Sequence, residues 1–115
     1  MRVPVADLAD VVDGTMREVH AGGRALVLIR RGDEFFAVRN ICPHQGAPLC
    51  GGVLSGVRPS SSVGDYRLER AGEILRCPWH NWEFDVVNGQ CLHSDKQRVA
   101  VYPVEVADGQ VFVTV

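Results

Sequence analysis

The sequence predicts an all-β fold on three grounds. Short alternating apolar runs recur at the spacing of all-β domains, clusters of Gly, Asn and Asp separate them, and helical periodicity is confined to one short stretch. That stretch is Val5 to Val12, which reads as a helical turn with Asp7 as its cap. His20-Ala21-Gly22-Gly23 then turns the chain into a strand at Arg24 to Arg30 (R-A-L-V-L-I-R). Arg31-Gly32-Asp33-Glu34 forms a hairpin loop leading into Phe35 to Asn40. Tyr66 to Arg70 and Ile74 to Arg76 read as a second hairpin around Ala71-Gly72-Glu73. Trp82-Glu83-Phe84 runs into Val87-Asn88-Gly89-Gln90, and Asn-Gly is the strongest short hairpin signal. Val101 to Val106 and Val111 to Val115 close the chain as strands joined by Ala107-Asp108-Gly109-Gln110.

A chain of 115 residues suits one domain over residues 1–115. Roughly two-thirds of its unfolded surface is expected to be buried at this size. Lys and Arg total 12 against 14 Asp and Glu, a net charge of −2 with no basic block, which argues against nucleic-acid binding. The longest purely apolar run, Ala25 to Ile29, is far short of a bilayer span, and Asp7 and Asp10 interrupt any secretory segment. The expectation is a cytoplasmic protein without membrane attachment. Four cysteines are too few for a disulfide framework, so metal binding or catalysis is the better question. Cys42 to Gly56, rich in Gly and Pro, reads as an ordered loop. Arg58 to Gly64, with three consecutive serines, reads as a more mobile excursion within the same domain.

Two clusters carry the chemistry: Cys42-Pro43-His44 and Cys77-Pro78-Trp79-His80. Each offers one thiolate and one imidazole, donors that suit zinc, copper or an iron–sulfur cluster. Pro43 and Pro78 fix the local backbone and bias each preceding cysteine toward an extended conformation. Two such loops can close on one metal centre, each giving a sulfur to one atom and a nitrogen to another. A structural zinc site built from the same four side chains is the competing reading. Zinc fingers, however, usually pair Cys-x-x-Cys with His-x-x-x-His, not one Cys and one His per loop.

The stretches C-P-H-Q-G-A-P-L and C-P-W-H-N-W-E-F-D closely resemble the Rieske [2Fe–2S] family, and the resemblance covers nearly the whole chain. It implies one Rieske-type [2Fe–2S] cluster, with Cys42 and Cys77 on the buried iron and His44 and His80 on the outer iron near the surface. It also implies an antiparallel sandwich or barrel base with a small cluster-binding subdomain inserted at about residues 41–87. With neutral imidazoles, two ferric ions, two sulfides and two thiolates sum to zero charge, whereas an all-cysteine cluster would carry two negative charges. Reduction of the neutral centre is easier, which matches the raised potentials of Rieske centres. Gly46, Gly51 and Gly52 are expected to let backbone N–H groups approach the bridging sulfides.

High-potential members of the family carry an extra cysteine in each cluster loop, and Ser and Tyr hydroxyls that hydrogen-bond to the cluster. The matching positions here are Ala47, Trp79, Trp82 and Phe84. Without those donors the potential should lie near the low end, about −150 mV. Cys50 and Cys91 do not match the staple positions and read as small packed thiols. His20 and His93 are left over as a turn and a surface histidine, and no Asp/Glu-x-x-His-x-x-x-x-His pattern supplies a catalytic iron site. The two tryptophans read as covers over the cluster, and others among Gln45, Pro48 and Leu49 as docking-surface candidates. Asn81 stands where the family commonly has glycine, and Asn tolerates the left-handed conformation. Residues 45–76, between His44 and Cys77, form a longer stretch than is usual in ferredoxins of the family.

The expected function is one-electron transfer and not catalysis. A soluble ferredoxin of this type would pass electrons, as a monomer when free, from a flavin-dependent NAD(P)H reductase to a terminal oxygenase or other oxidoreductase. The alternative is a permanently bound accessory or redox-sensing subunit of a larger enzyme. Ferric iron should acidify the outer N–H groups of His44 and His80, and reduction should relax that effect. Above the oxidised-state histidine pKa, reduction then takes up a proton, so rising pH disfavours it and the potential falls. Voltammetry across alkaline pH checks this: a falling potential is expected, and a flat one would contradict exposed histidine ligands.

Overall fold

The structure, a computed structural model, describes residues 1–43, 46–57, 69–78, 82–92 and 94–115, with backbone alone at 56–57 and 69–71. In chain order its strands are β1 (Arg2–Asp7), β2 (Met16–Ala21), β3 (Arg24–Arg31), β4 (Glu34–Arg39), β5 (Val53–Val57), β6 (Glu69–Arg76), β7 (Glu83–Asp85), β8 (Val101–Tyr102), β9 (Val104–Ala107) and β10 (Gln110–Thr114). They form three antiparallel sheets with strand orders β1-β10-β9, β2-β3-β4-β8 and β5-β6-β7. The all-β expectation is met.

The apolar run Ala25 to Ile29 explains how the sheets stack. Successive side chains of a strand point to opposite faces, so an unbroken apolar run needs cover on both. Leu26 and Leu28 of β3 pack with Val111 and Val113 of β10 and with Val11 and Val19. Val27 and Ile29, on the other face, pack with Leu75 of β6, Phe84 of β7 and Val86. All four β3 side chains are fully buried. The four-stranded sheet is therefore the middle layer. Next to it, β4 repeats the alternation, with Phe35 and Ala37 on the first core and Phe36 and Val38 on the second.

Several local readings change in three dimensions. β1 was hidden by Pro4, which an edge strand accepts because no ladder bond is needed from its nitrogen. The expected helical turn shrinks to a single 3-10 turn, Leu8–Asp10, and the Asp7 side chain makes no capping hydrogen bond. Val101 to Val106 is not one strand: Pro103 divides it, and β8 pairs with β4 while β9 pairs with β10.

The expected hairpin around Ala71-Gly72-Glu73 is also absent, because β6 runs through those residues as one strand. The turn signal marks a bulge instead. Ser55 pairs with Ile74 and Val57 with Glu69, so the extra residues of β6 loop out, with Gly72 at φ +84°. Arg31 holds the bulge against the middle sheet through Glu73 at 2.8 Å. Tyr66 and the serine-rich stretch lie outside the described residues. The Asn-Gly turn is found where expected, with the Asp85 N–H donating to the Gln90 carbonyl at 2.9 Å and Phe84 bridging Cys91.

The two cores predict separable defects. Leu28→Ala should cost about 2–5 kcal/mol and Phe84→Ala about 3–5 kcal/mol in thermal or denaturant unfolding. Only Phe84→Ala, whose core also contains Cys42 and Cys77, should lower iron and sulfide content after anaerobic reconstitution.

Candidate metal centre

The two sequence-predicted cysteines leave different layers. Cys42 lies just past the end of β4 in the middle sheet, and Cys77 directly follows β6 in the third sheet. Both are 1% exposed and both belong to the core shared with Ala47, Leu49, Leu75 and Phe84. No disulfide joins Cys42, Cys50, Cys77 or Cys91.

Each cysteine is held by the same closure. The Cys42 N–H donates to the Ala47 carbonyl at 2.8 Å, and the Cys77 N–H donates to the Trp82 carbonyl at 2.7 Å. In both loops the acceptor stands five residues beyond the cysteine, so the backbone doubles back and returns to its starting point. The matched Cys-Pro beginnings thus share the same closing hydrogen bond. His44 and His80, with Gln45, Trp79, Asn81 and His93, lie outside the described residues.

The same glycines shape the loop backbone. The N–H groups of Gly46, Gly51 and Gly52 donate to the carbonyls of Cys42, Pro48 and Leu49 at 2.8, 3.1 and 2.9 Å. The last two bonds shape a 3-10 turn, Leu49–Gly51. Gly52 is needed for a different reason: a Cβ there would lie 1.8 Å from the carbonyl oxygen of Arg76, the residue before Cys77. That backbone contact sets how closely the two loops approach. Of the remaining candidates, Leu49 is fully buried in the core, Pro48 is exposed, and Trp82 packs partly buried against the core.

Asn40 was missed by sequence reading. It is 9% exposed, its Oδ1 accepts the Cys50 N–H at 2.8 Å, and its Nδ2 donates to the Glu18 carboxylate and to Cys50 Sγ at 3.2 Å. One amide can serve as donor and acceptor at once, and here it ties the first loop to β2. Cys50 is accordingly a half-buried thiol in a polar clamp, while Cys91 is the packed thiol expected. His20 is a β2 residue and not a turn residue, with Nε2 at 3.2 Å from the second Glu18 oxygen. The only sequence signal for this clamp is a polar residue placed between an apolar strand and the Cys-Pro-His loop.

A family model described as the Rieske [2Fe-2S] domain matches residues 1–103. The chain belongs to this family. The cofactor is accordingly one Rieske-type [2Fe–2S] cluster. Among curated relatives of this Rieske domain, ferredoxin CarAc of Metapseudomonas resinovorans is 32% identical over 111 residues, covering 95% of this chain and 89% of the relative. Apoptosis-inducing factor 3 of Mus musculus is 36% identical over 85 residues, 74% of this chain, but the match spans only 11% of that protein. A solved complex of reduced oxygenase and oxidized ferredoxin in carbazole 1,9a-dioxygenase contains a chain 30% identical to this one. The likeness has a TM-score of 0.74 and covers 97% of this chain and 100% of the other.

The residues present fit such a cofactor. Two unbridged thiols lie in one core, each at the mouth of an equally closed loop, and each loop sequence supplies one histidine. Ala47 and Phe84, where high-potential members place a cysteine and a hydroxyl, are both fully buried apolar side chains.

Gly52→Ala is expected to abolish iron and sulfide incorporation, because the contact it offends is backbone and cannot rotate away. Gly51→Ala, whose nearest atom would be Pro78 Cγ at 3.9 Å, should incorporate normally. Equal incorporation by the two variants, measured per folded protein, would contradict this account of loop approach.

Proposed function

We propose that this protein is a one-electron carrier, with Cys42 and Cys77 as ligands of one iron and His44 and His80 as ligands of the other. The observation that carries the reading is the matched pair of closed loops holding Cys42 and Cys77 buried in one core. When bound, the cluster takes up and gives up a single electron. Around it the chain's own side chains set the conditions. Phe84, Leu49 and Leu75 exclude water from the thiols, and Trp82 closes the flank of the same core. Residues 41–87, which include all of the third sheet, act as the cluster-binding subdomain on a base formed by the other two sheets.

Low potential follows from the surroundings. Phe84 and Trp82 have no hydroxyl to donate to a cluster sulfur, so the extra negative charge after reduction goes unassisted by them, and a midpoint near about −150 mV is expected. The protein itself catalyses no reaction. It works in the cytoplasm, as a monomer between encounters, receiving electrons from a flavin-dependent NAD(P)H reductase and passing them to a terminal oxygenase or other oxidoreductase. The likeness to ferredoxin CarAc and to the ferredoxin–oxygenase complex supports that placement. Among the described residues no helix is long and apolar enough to cross a membrane.

An anaerobic redox titration followed by visible absorbance and electron paramagnetic resonance tests the reading. A one-electron transition with a Rieske-type signal and a low midpoint is expected. A high midpoint would overturn the argument from Phe84 and Trp82. A colourless protein with stoichiometric zinc, after failed reconstitution with iron and sulfide, would overturn electron transfer altogether.

A further inference from the structure

Beside the first cysteine loop the surface opens into a groove of about 290 Å³, lined by Arg39, Ile41, Pro43, Arg98, Val99 and Ala100. Its two walls are fastened together, the Arg39 N–H donating to the Ala100 carbonyl at 2.9 Å. Ile41 is 42% exposed, a branched aliphatic side chain with little cover next to Cys42. Pro43 is exposed and is bonded directly to His44.

Among the described residues no carboxylate offsets the groove's charges. Arg2, Arg31 and Arg76 each meet a glutamate, Glu105, Glu34 with Glu73, and Glu83 respectively, whereas Arg17 and Arg30 donate to backbone carbonyls. Arg39 has no ion pair among the described residues, and Arg98 donates to the Asn88 carbonyl at 3.1 Å and not to a carboxylate. No acidic residue lines the groove. A protein with net charge −2 thus keeps two uncompensated cations over an apolar floor, beside a proposed iron ligand. Apolar centres with charged margins are how protein interfaces are built, and unpaired margin charges steer encounter.

We infer that this groove is the docking face for a redox partner whose contact surface presents carboxylates around an apolar projection. The inference rests on the electron-carrier reading and names the chemistry of its partner. A partner seated there touches Pro43 and so stands next to His44. The carboxylates meet Arg39 and Arg98, and the projection covers Ile41.

The test uses the reduced holoprotein and two inorganic oxidants of opposite charge, ferricyanide and tris(phenanthroline)cobalt(III). Each takes one electron from the protein, becoming ferrocyanide or the cobalt(II) complex. Stopped-flow second-order rate constants are compared for the unaltered protein, Arg39→Gln/Arg98→Gln, and the charge-matched control Arg2→Gln/Arg17→Gln. At low ionic strength the groove variant should oxidise about tenfold more slowly with ferricyanide, the control much less so, and molar salt should erase the difference. The cobalt rate should not fall. Arg39→Lys/Arg98→Lys should restore the ferricyanide rate to within about twofold, which excludes misfolding as the cause. Equal ferricyanide rates, or an equal loss in the control, would overturn the docking face while leaving the carrier reading intact. A protein that reduces neither oxidant would overturn both.

Discussion

Two thiols that leave different sheets must end in one apolar core, and most of the architecture answers to that requirement. Cys42 is delivered by the middle sheet and Cys77 by the third sheet. Neither backbone end is free to drift, because each cysteine N–H is spent on closing its own loop. The bare backbone at Gly52 then lets the first loop settle against the Arg76 carbonyl. The Asn40 clamp fixes the same loop to β2 through Cys50 and Glu18. A buried amide left without partners costs on the order of 1–3 kcal/mol, so the clamp holds the loop by the cost of breaking it.

The layering makes this precision possible. β3 is apolar on both faces and joins the two cores, so the base and the third sheet share one rigid element. Close-packed cores resist small displacements. The bulge in β6 serves the same end, since Arg31 reaches from β3 to Glu73 and fastens the third sheet to the middle one.

What was legible in the sequence was what depends on neighbours along the chain. The β3–β4 hairpin followed from two apolar runs and the turn residues between them, the Asn88-Gly89 turn from its dipeptide, and the cysteine loops from their Cys-Pro-His and Cys-Pro-Trp-His runs. What stayed hidden depends on residues distant in sequence. Pro103 looks like part of a strand until two sheets compete for its flanks. Gly72 marks a kink, but only the pairing with β5 decides that the kink is a bulge and not a hairpin. Gly52 reads as one more loop glycine until Arg76 is placed against it, and Asn40 and Glu18 show no link until β2 lies beside the first loop.

The same contrast applies to function. Donor types and their order along the chain suffice to name a class of cofactor, whereas the surroundings that tune it are spatial. Ala47 and Phe84 fill the core without offering a polar hydrogen, and the cationic groove exists only because residues 98–100 are bonded alongside β4. The central claim is the division of ligands, two thiolates on one iron and two imidazoles on the other. Mössbauer spectroscopy of the ⁵⁷Fe-reconstituted protein tests it directly. The account predicts two inequivalent iron sites in equal amount in the oxidised protein, with the added electron localised on the nitrogen-ligated iron after reduction. A single class of iron, equivalent in both oxidation states, would contradict it.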